Sequence, residues 1–194
     1  MMRGTMRVVG DERTHNINLQ QQAPDKYYIW INLVGEGVFE RGNNGDIAWE
    51  RTPREARQLS EAEKVKSAQT FDFYTELNYE KWVTSVQSVS VEGFADQRCD
   101  VLELTNHLGE REKVYFSQLN GRKVGMVKDL GAEQERIIRY GQYLERDGIF
   151  TAMSIEEKVG SLRKLWIFDS LEWGKTDADF GTPSFIKGPS SSGQ

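Results

Sequence analysis

Hydrophobic positions in this chain recur mostly every second residue. From Tyr27 to Val34, Ile29, Ile31 and Leu33 alternate with Tyr28, Trp30 and Asn32, the period of a strand with one face turned inward. Gly35-Glu36-Gly37 breaks the run, Val38 to Arg41 resumes it, Gly42-Asn43-Asn44-Gly45 turns, and Ile47 to Arg51 follows. Asn-Gly between apolar runs is a strong hairpin signal, because its turn positions take positive φ. The stretch therefore predicts an antiparallel meander, with Gly45 in the left-handed region. Upstream, Thr5 to Val9 and Thr14 to Gln20 flank Gly10-Asp11-Glu12 and predict another hairpin.

The period changes at Ser60. Ser60 followed by Glu63 has the form of a capping box, and Val65, Ala68, Phe73 and Leu77 recur near helical spacing. Phe71 and Tyr74 widen that stripe. The pattern predicts one amphipathic helix from Ser60 to Leu77, with a short further turn at Tyr79 to Trp82. Strands return from Val83 to Val91, Cys99 to Thr105, Lys113 to Ser117 and Lys123 to Lys128, with a second Asn-Gly hairpin at Asn120-Gly121. Gln134 to Tyr140, Tyr143 to Glu145, Ala152 to Val159 and Leu162 to Trp173 complete the series. Ten or more strands around one helix predict a mainly β (α+β) fold built on a single large antiparallel sheet, strongly curved or nearly closed. The Gly-, Pro- and Ser-rich end from Gly181 to Gln194 reads as a disordered tail. One domain over 1–183 and a polar tail over 184–194 are expected.

Composition narrows the class. Charged residues make up 28% and the mean hydropathy is −0.63, while aromatics reach 11%. A sheet solvated outside and apolar inside fits that balance. The net charge of −5 argues against nucleic acid and against electrostatic attachment to anionic lipid. Cys99 is the only cysteine, so no internal disulfide forms. No apolar run reaches the length of a membrane-spanning helix. The opening MMRGTMRVVGDERT lacks the apolar core of a signal peptide.

Catalytic signatures are absent: there is no Gly-x-Ser-x-Gly, P-loop or dinucleotide fingerprint. His15 and His107 read as surface or turn residues rather than a metal pair, and Cys99, in an apolar strand, as a small core residue. Asp177 and Asp179 lack a matching ligand loop and read as solvated carboxylates. No cofactor or metal is expected. The informative feature is the set of alternating apolar faces, among them Leu102 with Leu104, Val114 with Phe116, Val124 with Met126, and Met153 with Ile155. Such faces form either an ordinary filled core or the wall of a cavity. One 18-residue helix is a small plug for so large a concave surface, which favours the cavity. The candidate lining residues are Ile31, Leu33, Trp49, Val65, Phe73, Leu104, Phe116, Met126 and Ile155.

Several motifs resemble, in their order along the chain, the LolA/LolB-like superfamily of outer-membrane lipoprotein carriers. The opening motif is the apolar strand after Pro24-x-Lys26, the Gly35-x-Gly37 break, and the turn leading to Ala48-Trp49-Glu50. Pro53 and Arg57 then lead into the helix. Val114-Tyr115-Phe116 reaches Gly121, Gln142-Tyr143 precedes Asp147-Gly148-Ile149, and Phe180 with Pro183 closes the pattern. The resemblance covers about Thr5 to Pro183. It implies an unclosed barrel of about eleven strands with a helical lid and a non-catalytic interior for a lipid, acyl chain or other apolar ligand. It also implies a lipoprotein or membrane-associated partner and a periplasmic or cell-envelope setting. Three features depart from the family pattern. The export signal and N-terminal helix usual in the family are missing from the sequence, and Phe150-Thr151-Ala152 stands where a proline is usual. The barrel-lining arginine of true carriers is not assigned to Arg41 or Arg51 from sequence.

Overall fold

A computed structural model describes residues 1–71, 79–132, 134–174, 180, 181, 183 and 185. Thirteen strands and two helices occur among them: β1 (Met2–Val8), β2 (His15–Gln22), β3 (Lys26–Leu33), β4 (Gly37–Asn43), β5 (Ala48–Arg51), β6 (Ala56–Gln58), α1 (Glu61–Phe71), α2 (Tyr79–Trp82), β7 (Val83–Phe94), β8 (Gln97–Asn106), β9 (Arg111–Ser117), β10 (Lys123–Gly131), β11 (Gln134–Arg146), β12 (Ile149–Val159) and β13 (Leu162–Leu171). They form one antiparallel sheet in the open order β6-β5-β4-β3-β2-β1-β13-β12-β11-β10-β9-β8-β7. The mainly β expectation holds, with thirteen strands where the resemblance implied about eleven.

Contacts divide the chain into two compact units, the first from Met1–Thr5, Thr14–Leu77 and Asp169–Gln194, the second from Met6–Arg13 and Asn78–Phe168. In the first, β3 to β5 form the expected meander, with β2 beside β3 and β6 beside β5. Residues Ala56–Gln58, on the way into the helix, pair with β5, Trp49 opposite Gln58 and Glu50 opposite Arg57. Gly45 takes φ +99°, and the Asn43 and Asn44 side chains accept hydrogen bonds from the amides of Gly45, Asp46 and Ile47 at 2.9, 3.0 and 2.9 Å. That is why the turn prefers these residues.

The capping box is present. The Ser60 amide donates to Glu63 Oε2 at 2.9 Å, and the Glu63 amide donates to Ser60 Oγ at 3.4 Å. The helix packs through Ser67 and Ala68, and Tyr27 Oη donates to Ser67 Oγ at 2.5 Å. The Tyr27 and Phe71 rings stack with centroids 4.7 Å apart. Val65 departs from the expected stripe and is 44% exposed, because the face that meets β3 is centred on Ser67, Ala68 and Phe71. Phe73, Tyr74 and Leu77 lie outside the described residues.

In the second unit β7 to β13 run as successive hairpins, and Gly121 takes φ +70° as its turn requires. The break read at Gly141-Gln142 does not end a strand. Gly141 pairs with Ser154 and Tyr143 with Ala152, so β11 is continuous and Gln142 passes through φ +50° within it. A buried cluster of Cys99, Val101, Tyr115 and Val124 gathers Phe94 and Val127 around it. Cys99 is fully buried there, as its strand context implied.

Candidate functional site

Strand register assigns each candidate to a face, since side chains alternate and cross-strand partners share a side. In the first unit Ile17 lies opposite Ile31, and Leu19 opposite Ile29. Ile31 lies opposite Phe39, and Ile29 opposite Arg41. Ile31 and Leu33 therefore belong to one apolar face, the face whose Tyr27 meets α1. Trp49 does not. It pairs with Gly42, which is of the other parity, and is buried on the opposite face. A Cβ on Gly42 would collide with its indole, so glycine at 42 makes room for Trp49.

The same register separates the two arginines left open above. Arg41 lies on the apolar face, paired with Glu50, its guanidinium 5.7 Å from the Phe39 ring. Its Nε is buried without a hydrogen-bond partner among the described residues. Arg57 extends this arrangement, 3.4 Å from Glu50 and 2.9 Å from Glu63. The Arg57 guanidinium and the Ser60 cap hold the Glu63 carboxyl down at about 2. Arg51 sits on the opposite face, 2.6 Å from Glu40. Tyr28 donates to Glu40 there at 2.5 Å, and burial followed by that carboxylate pushes its hydroxyl above the usual range. Neither ladder was visible beforehand, because it depends on register rather than spacing along the chain.

In the second unit the register collects four predicted residues on one face. Leu104 lies opposite Glu112, which shares parity with Val114 and Phe116. Met126 lies opposite Val114 and Ile138, and Tyr140 opposite Ile155. Leu104, Phe116, Met126 and Ile155 thus line a continuous apolar band. Leu104 and Val114 are only 2% and 1% exposed. Charges border the band: Glu112 lies opposite Lys128, and Lys128 opposite Arg136. Lys128 bonds Glu110 at 2.6 Å and Arg136 bonds Glu157 at 2.7 Å. Glu112 is half-buried, and its desolvation raises its carboxyl above the usual range despite Lys123, Lys128 and Arg136 nearby.

Among the described residues, no group of three or more His, Cys, Asp or Glu side chains is placed to hold a metal. His15 is buried rather than at the surface, and its Nδ1 accepts the Val34 amide at 3.0 Å. It serves as a strand-end acceptor. His107 is exposed in the β8–β9 turn. Burial raises the Cys99 thiol, the opposite of what a nucleophile needs. An open depression of 330 Å³ is lined by Asp129, Gln134, Glu135, Ile137, Lys158 and Gly160, away from the apolar band. No helix among the described residues is long and apolar enough to cross a membrane.

The fold resembles that of solved LolA superfamily and lipoprotein-sorting domain structures. Three of the solved structures that match it illustrate the likeness. A LolA superfamily protein from Nitrosomonas europaea superposes with TM-score 0.68 at 12% identity, over 95% of this chain and 90% of its own. A domain assigned as an outer membrane lipoprotein-sorting protein, from Vibrio parahaemolyticus, gives 0.64 at 14%, over 92% and 87%. A DUF1329 family protein from Desulfovibrio piger gives 0.63 at 14%, over 93% and 88%. No protein-family model matches the sequence, and no curated protein is similar to it.

Proposed function

We propose that the protein binds a lipid, acyl chain or other apolar ligand without catalysis, in the manner of a lipoprotein or lipid carrier of the cell envelope. The observation that carries this reading is the apolar band of Leu104, Phe116, Met126 and Ile155 on one face, in a fold shared with lipoprotein-sorting and LolA superfamily proteins. Ile31 and Leu33 offer a second apolar face, in the first unit. Arg41, whose buried Nε on that face has no hydrogen-bond partner among the described residues, is the group to meet a polar ester or amide of the ligand. A lipoprotein or membrane-associated protein is the partner that such cargo implies.

A second reading, a non-carrier interaction module with a filled core, draws on the low exposure of Leu104 and Val114. Fluorescent fatty acids of graded length separate the two. Each buried CH₂ contributes about 0.8 kcal/mol, so carrier-type binding tightens about fourfold per methylene and depends little on salt. Leu104→Trp abolishes uptake while the far-ultraviolet circular dichroism stays strand-dominated. Affinity independent of chain length removes the carrier reading and leaves the module.

A further inference from the structure

Among the described residues, strand β7 is a terminal strand of the sheet and has β8 as its only pairing partner. At 12 residues it extends roughly 40 Å. Open edges present a row of unpaired amides and carbonyls, and natural proteins blunt them with short length, charge, proline, a bulge or a cover. From Val83 to Val91, VTSVQSVSV, the strand has no charge and no proline. Its register with β8 shifts twice, between Val83 and Ser85 at its start and between Ser88 and Ser90 at Val89. The terminal strand of the first unit contrasts with it: β6 has three residues and follows Pro53-Arg54-Glu55.

Three valines stand among the exposed side chains of β7, beside Thr84, Gln87 and Ser88. Val86, Val89 and Val91 are 46%, 44% and 47% exposed. Val86 lies opposite Leu104, and Val91 opposite Asp100, so both belong to the apolar face that continues inward through Leu102 and Leu104. At the open edge Val86 and Val91 of that face stay about half exposed.

We propose that β7 is an interface strand on which two copies of this chain pair antiparallel, joining their sheets edge to edge. The strand is self-compatible. A two-fold axis normal to the sheet keeps like faces together and sets Val86 of one copy across from Val91 of the other. The same register opposes Gln87 to Ser90 and Ser85 to Glu92, so no like charges meet although each chain carries a net charge of −5. Every free amide and carbonyl along the stretch gains a backbone partner.

Sedimentation of the full chain from about 1 to about 300 µM, the range in which modest interfaces dissociate, tests this. The expected result is a rise from monomer to dimer mass, with slower amide exchange in β7 at the high concentration. A Val86→Lys/Val91→Lys double variant brings lysines together across the axis and weakens dimerisation at least tenfold, with an unchanged circular dichroism spectrum. Monomer mass at every concentration overturns the proposal. So does a dimer whose β7 amides exchange at the monomer rate, and that arm needs no variant to fold.

Discussion

At the scale of single residues, two positions are fixed by what lies against them. A Cβ at Gly125 would overlap the Phe94 ring and stand 2.5 Å from the Ile138 carbonyl oxygen. The ring could shift, but the backbone of β11 cannot without breaking its ladder. Gly125→Ala should therefore cost about 1–3 kcal/mol, the usual penalty of overpacking, read from urea unfolding. Phe94 stacks on Tyr115 with centroids 4.3 Å apart, and Tyr115 is pushed up to about 12 by burial and by the Glu92 carboxylate. A raised tyrosine contributes stability below its ordinary value near 10 and loses it as the pH climbs through about 12. Tyr115→Phe should thus lose less stability than the parent between pH 8 and the alkaline limit, measured by thermal melts across that window. Cys99 as core and the positive φ of Gly45 and Gly121 were legible in the sequence, because each follows from a local pattern. The buried His15 was not, since its role depends on Val34, which joins it only when β2 and β3 pair.

At the scale of elements, the helix start was written in Ser60 and Glu63, and the structure adds Arg57, which closes on Glu63 from β6. Ser60→Ala should cost about 0.5–2 kcal/mol. Glu63 titrates at about 2, so its stabilisation is full above the ordinary carboxylate value and fades as the pH falls through about 2. In Arg57→Met, nuclear magnetic resonance titration should find that carboxyl displaced upward, because its largest cause is gone. Docking of the helix rests on Tyr27, whose hydroxyl bonds Ser67 in a buried site. Tyr27→Phe leaves the Ser67 hydroxyl without this partner and should cost about 0.5–1.5 kcal/mol. The same loss in a Ser67→Ala background should be smaller. Strands were legible from alternation, but their faces were not. A change of one residue in register moves every side chain to the other side, which is how Trp49 was grouped with Ile31 although Gly42 is its partner. Gly141-Gln142 looked like a break for a similar reason: local composition favours a turn, and only pairing with β12 keeps the strand intact.

At the scale of the whole molecule, fold and sequence identity part company. Structures at 12–14% identity share the architecture, because an antiparallel sheet is specified by alternation, turn glycines and capping rather than by particular side chains. That is why ordered weak motifs pointed to the LolA-like fold while no family model matches. The ligand question is also one for the whole chain, since anything bound only by the folded state stabilises it. At a concentration a hundredfold above its dissociation constant, a ligand adds about 2.7 kcal/mol. For a chain of this size each kcal/mol moves the melting temperature by about 2–4 °C, so a saturating long-chain fatty acid should raise it by roughly 5–10 °C. The shift should grow with chain length at fixed ligand concentration and vanish in Leu104→Trp. A detergent monomer of equal length with a charged head offers the control: general surfactant action lowers the melting temperature of both proteins, whereas occupancy of an apolar site raises it in the parent alone. A melting temperature indifferent to every chain length marks the face around Leu104 as a filled core.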